Sequence, residues 1–109
     1  MIETVYQLVQ NDDKSVKAIV MDENVHYMQM VLNQGQGLPV HYSNSNLYMT
    51  VLRGTLSIGL EDQEIHDYPK GSLLKIPVDV RMNVHNRHEE VLEITVVKAP
   101  APAAPARQA

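Results

Sequence analysis

The sequence predicts an all-β fold of short antiparallel strands in two sheets, and three observations carry that prediction. Apolar and polar residues alternate with period two in several short runs, the pattern of strands with one face buried. Turn-forming clusters recur at intervals of roughly 8–12 residues, as sandwiches and barrels require. No stretch shows the i, i+3, i+4, i+7 periodicity with caps at both ends that marks a helix. With 109 residues the chain suits one domain, large enough to bury about two-thirds of its unfolded surface without disulfide or metal staples.

Taken in order, residues 1–10 place Val5, Tyr6, Leu8 and Val9 on both faces of a short run, read as an N-terminal edge strand or arm. The polar clusters Asn11-Asp12-Asp13 and Asp22-Glu23-Asn24 are turns, because short polar side chains bond their own backbone there. His26, Met28, Met30 and Leu32 then share one face of a strand. The Gln34-Gly35-Gln36-Gly37 turn leads to His41, and Ser43-Asn44-Ser45-Asn46 separates His41 from the run Leu47 to Arg53, which stops at Gly54. Leu56, Ile58 and Leu60 against Thr55, Ser57 and Gly59 form the clearest half-buried strand. Beyond the Glu61-Asp62 tip and the Tyr68-Pro69-Lys70-Gly71 turn, Val80, Met82 and Val84 alternate with Arg81, Asn83 and His85, which places His85 on the solvent face. After Asn86-Arg87-His88, the last strand sets Leu92, Ile94 and Val96 against Glu93 and Thr95. Residues 99–109 are a Pro/Ala tract that favours extended chain and offers nothing to bury. The folded domain is therefore expected over 1–98, with 99–109 a tail outside it.

Composition removes several functions. There is no Cys, hence no disulfide framework, thiolate nucleophile or sulfur-rich zinc site. Nine Lys and Arg against thirteen Asp and Glu give a net charge of −4 without a basic cluster, which argues against nucleic acid as a partner. The start of the chain shows neither a basic, apolar leader nor a membrane-spanning run. A soluble cytoplasmic protein is the expectation. In the absence of Phe and Trp, six Met and five Tyr supply the large side chains, and Met fills irregular gaps and adapts to varied ligands.

Two spacings carry a more particular signal. Gly35, five residues, His41, and later Leu47 and Gly54 make the first; Gly71, five residues, Pro77, and later Met82 and Asn86 make the second. This frame resembles the two signature motifs of the cupin family. The resemblance implies a double-stranded β-helix, a jelly-roll barrel of two antiparallel sheets. In the family's pattern the first motif supplies two His and a Glu and the second a third His, together holding a metal. At those four places this sequence has His41, Ser43, Leu47 and Met82. One imidazole does not hold such an ion, so no metal or other cofactor is expected; a soft-ion site of His41 with Met82 is the weaker alternative.

The resemblance implies a ligand pocket in the barrel mouth. Its expected apolar walls are Met28, Met30, Leu47, Met49, Met82 and Val84, and its polar groups His41, Ser43 and His26. Small-molecule binding is the leading function. Two alternatives stand beside it. One is an enzyme with a rearranged metal site, or a metal-free isomerase type, using His41 as ligand or general base. The other is an interaction module whose barrel is packed shut. No Gly-x-Ser-x-Gly elbow and no phosphate-binding glycine loop is present. The apolar N-terminal run further predicts a homodimer, because an edge strand with two apolar faces needs a cover.

Overall fold

A computed structural model describes residues 1–109, and every regular element in it is a strand. The nine are β1 (Ser15–Met21), β2 (His26–Leu32), β3 (His41–Tyr42), β4 (Asn46–Arg53), β5 (Thr55–Leu60), β6 (His66–Pro69), β7 (Leu73–Ile76), β8 (Arg81–His85) and β9 (Leu92–Ala99). They form two antiparallel sheets, one in the order β1-β2-β9-β4-β7 and the other β3-β8-β5-β6. No helix is long and apolar enough to cross a membrane.

Period-two alternation explains why the sheets face each other. Leu56 and Ile58 of β5, Met82 and Val84 of β8, and Leu92, Ile94 and Val96 of β9 all point inward and are at most 2% exposed. Cross-strand pairs join them into one surface: β9 sets Val96 between Met28 and Met49, and Ile94 between Met30 and Val51. The result is a core cluster of 13 buried side chains between the sheets.

The two half-motifs hold each other at both ends of β8. At one end the Gly35 N–H donates to the Asn86 carbonyl at 2.8 Å, and the Asn86 N–H donates to Gln36 at 2.9 Å. The buried Asn86 amide also donates to the Leu32 and Glu90 carbonyls and accepts from the His88 N–H. At the other end the Ser43 hydroxyl donates to the Pro77 carbonyl at 2.7 Å and accepts from the Val80 N–H at 2.9 Å. Buried polar groups need such partners. The motif frame is thus a set of loop staples whether or not a metal is held.

Both chain ends depart from expectation. No strand forms in residues 1–10, and the sheet edge is β1 instead. The buried Gln29 side chain explains this: its Oε1 accepts from the Val9 N–H at 2.7 Å and its Nε2 donates to the Val9 carbonyl at 3.0 Å. A side-chain amide, not a strand ladder, satisfies the arm's backbone there. At the other end the Pro/Ala tail is tied to the barrel. Ser45 bonds the Pro100 carbonyl, Asn24 accepts from the Ala101 N–H, and Asn44 donates to the Ala104 carbonyl. Farther along, the Tyr42 N–H donates to Arg107 and the Ala109 N–H to Val40, so the tail covers the free edge of β3. Arg107 lies 3.9 Å from the Tyr42 ring centroid and 2.7 Å from Asp79. A segment with nothing to bury still offers carbonyls and N–H groups, and an open strand edge needs them.

Candidate functional site

The rim of the barrel where β2 begins and β9 ends brings polar groups onto the inner face. His26 opens β2 and pairs in register with Lys98 near the end of β9. His26 is in phase with Met28, Met30 and Leu32; Lys98 is in phase with Leu92, Ile94 and Val96. Period-two geometry therefore aims both inward, just beyond the last layer of core side chains. There a cavity of about 370 Å³ opens, with Met21, His26, Met28, Asn44 and Lys98 on the barrel side and tail residues 102–106 on the other.

The lining of this cavity carries one cation, Lys98, while the Asp22 carboxylate interacts with His26 from outside the lining. No Asp or Glu lines the cavity. Burial pushes the Lys98 ammonium below the usual lysine range, since a charged amine is disfavoured where water is excluded. Asn44 fastens the tail through its Nδ2 at 2.9 Å from the Ala104 carbonyl, while its Oδ1 is buried without a partner.

Of the residues expected to line a pocket, His26 and Met28 reach this cavity. Met30, Leu47, Met49, Met82 and Val84 do not; they belong to the core, each 8% exposed or less. The expected pocket lies deeper in the barrel, and there the two inner faces pack against each other. Ser43 is committed to the loop staple that joins it to Pro77 and Val80. His41 pairs in register with Met82, but its Nδ1 lies 2.7 Å from the Pro39 carbonyl and it lines no part of the cavity. His85 is on the outer face, as alternation predicts, yet half-buried rather than in solvent. It packs against Gly37, where an added Cβ would lie 2.8 Å from the His85 Cβ.

Sequence reading missed Lys98, Met21, Asn44 and the tail. The signal for Lys98 was available: it continues the inward phase of Leu92, Ile94 and Val96 by one more step. The tail gave none, because its bonds are made by backbone groups that any sequence carries.

No protein-family model matches the chain. An uncharacterised protein of Methanocaldococcus jannaschii is 39% identical over 103 residues, which span 94% of this chain and 89% of that one. Its crystal structure is that of an RmlC-like cupin family protein with a double-stranded β-helix fold; the two superpose with a TM-score of 0.90 over 94% of each chain. The chain belongs to the cupin family. This cupin also superposes with a TM-score of 0.82 on a cupin-like protein of Thermotoga maritima, at 18% identity over 94% of this chain and 88% of that one. A cupin superfamily protein of Desulfitobacterium hafniense gives 0.71 at 12% identity, over 85% and 83% of the two chains. At those identities the likeness concerns the fold alone.

The metal positions of the family do not fit a metal in this cupin. Leu47 has no donor atom, Met82 is 2% exposed inside the apolar core, and the Ser43 hydroxyl is engaged on both its donor and acceptor sides. His41 is left without co-ligands, and nowhere do three His, Asp or Glu side chains converge. The weaker pairing of His41 with Met82 as a soft-ion site would supply two donors, one of them sealed in the core.

Proposed function

We propose that this cupin binds a small organic molecule in the cavity at the barrel mouth, without the metal its family usually holds. The observation that carries this reading is the convergence of His26 and Lys98, register partners on adjacent strands, on a concavity with apolar walls from Met21, Met28 and the tail. Apolar walls with a few placed polar groups are the ordinary make-up of a ligand site. At roughly 30 Å³ per water, about 370 Å³ corresponds to ~12 waters. That is room for a metabolite-sized ligand.

An enzyme reading has less support. His41, the side chain suited to general-base work, does not face the cavity. The filled interior agrees with a packed interaction module, but that reading gives no account of the two polar side chains at the rim. Thermal unfolding in the presence of pooled metabolites tests the proposal. A ligand at a hundred times its dissociation constant adds ~2.7 kcal/mol, a shift of about 10 °C for a domain of this size. Uniformly flat melting temperatures across acidic, neutral and basic pools would remove the reading.

A further inference from the structure

All four arginines of the chain are paired with carboxylates: Arg53 with Asp12 and Glu93, Arg81 with Asp62, Arg87 with Asp67, and Arg107 with Asp79. Lys14, Lys17, Lys70 and Lys75 are exposed to water, the Lys75 ammonium also lying 5.7 Å from the Tyr48 ring centroid. Lys98 is neither. It is the one lysine partly withdrawn from solvent, and its side chain has no ion pair and no hydrogen bond, in a chain with a surplus of acids. Its neighbours on the barrel side of the cavity are Met21, His26, Met28 and Asn44, none of them anionic.

An ammonium drawn out of water without a counter-ion costs free energy, and the charge is recovered only if an anion arrives. The alternation of β9 fixes the side chain inward, so Lys98 cannot turn to the acidic outer surface without breaking register with His26 and Leu47. We infer that the ligand of this cavity is a small organic anion, its carboxylate seated on Lys98 Nζ and its apolar body against Met21, Met28 and Pro102. The inference rests on the ligand-binding reading above and narrows it to a chemical class. A monocarboxylate suits the site better than a phosphate ester, because the lining offers one cation, Lys98, with His26 and Asn44 as its other polar side chains, and no cluster of cationic donors for a dianion.

The test compares matched ligands of different charge on the full chain. Butyrate, hexanoate and benzoate are titrated against butyramide, hexanamide and benzamide, and against butylamine and hexylamine, with amide chemical shifts as the readout. Carboxylates are expected to bind at least tenfold more tightly than their amides, with the largest shifts at residues 26–28 and 98–106. Lys98→Met is expected to abolish that preference by weakening the carboxylates at least tenfold, Lys98→Arg to retain it, and Lys75→Met, at an exposed position of the edge strand β7, to leave it intact. Urea unfolding of each variant establishes that it is folded. Amides or amines binding as tightly as the acids would overturn the inference and leave the binding proposal standing. A preference that survives Lys98→Met would overturn it equally. If no compound of any charge binds, both proposals fall.

Discussion

Replacing Gly54 by Ala should damage this barrel far more than the same change at Gly71, although both are glycines of the recognised frame with positive φ. The φ values are +77° at Gly54 and +92° at Gly71. Either substitution forces an L-residue into the left-handed region, at ~1–2 kcal/mol. The entropy removed from the unfolded chain, ~0.4–1 kcal/mol, is common to both and cancels in the comparison. The surroundings then decide. At Gly71 a new Cβ meets nothing within 4 Å. At Gly54 it would lie 2.3 Å from the Val91 carbonyl oxygen and 2.9 Å from Leu92 Cα. Those are backbone atoms at the start of β9, the central strand of its sheet, and Leu92 itself is fully buried. Relief requires β9 to move, and overpacking of this kind costs a further ~1–3 kcal/mol. Gly54→Ala should therefore lose about 2–5 kcal/mol against about 1–2 kcal/mol for Gly71→Ala. Urea unfolding, with a slope of ~1–3 kcal/mol per molar, resolves that gap as a clear separation of midpoints. Equal midpoints would refute the close-approach account of Gly54.

Three further outcomes follow from the geometry. The Asp67 carboxylate accepts from Arg87, His88 and Ser57, and those donors, the Arg87 guanidinium foremost, hold it far below the usual carboxylate range. Its contribution is thus complete above the unfolded value of ~3.9 and is lost as pH falls towards the folded value. Asp67→Ala should cost roughly 1–3 kcal/mol at pH 7, from the lost charge-assisted bonds to Arg87 and His88 together with the stranded Ser57 hydroxyl, and the part that depends on charge should fade below pH ~4 in acid-unfolding curves, narrowing the gap to wild type; a gap independent of pH would refute the assignment. Ending the chain after Ala99 removes no core side chain but takes away one wall of the cavity, so unfolding should stay cooperative by circular dichroism while ligand-induced stabilisation disappears. Finally, Ile2, Val5 and Tyr6 are more than half exposed, and cover by a second copy predicts twice the 12.3 kDa chain mass in light scattering, falling to the mass of a single shortened chain when residues 1–10 are deleted; a monomer mass at micromolar concentration would exclude that partner.

The architecture was legible because it depends on local signals that survive any change of function. Alternation in Leu56–Leu60, Val80–Val84 and Leu92–Val96 placed the right residues inside, and the glycine and Asn86 positions marked turns that the structure uses as staples. The strand Ser15–Met21 escaped notice because it is an edge with little buried surface; Val16, Lys17 and Ala18 are exposed, and its alternation is correspondingly blurred. The site was less legible for a different reason. Inward phase says that a side chain enters the barrel but not how far the core fills, so Met30, Met49 and Met82 read the same as Met28 although only Met28 lies beyond the packed layer. Depth along a barrel is set by the partner sheet and by the returning tail, and neither is written in the strand's own pattern.

The residues at the family's metal positions also bear on where a pocket can form in this barrel. With Leu at position 47 and Met at 82, two positions that would carry polar ligands instead fill the space between the sheets, each only 2% exposed. A filled interior leaves no room for a ligand there and supports the barrel by burial, at about 1.5–3 kcal/mol for each fully buried side chain. Polar chemistry is then confined to the rim, the first layer where inward-facing residues are no longer sealed. His26 and Lys98 occupy that layer on adjacent strands, and the tail closes over them through Asn44 and Ser45. Of these, Lys98 is the position that packing does not explain, since a methionine there would extend the apolar floor of Leu47 and Val96 without stranding a charge. If Lys98 is accidental, Lys98→Met should match or exceed the wild-type stability with no other consequence. If it serves an anion, the same variant should gain stability and lose the ligand together, and that paired outcome separates a functional cation from an accidental one.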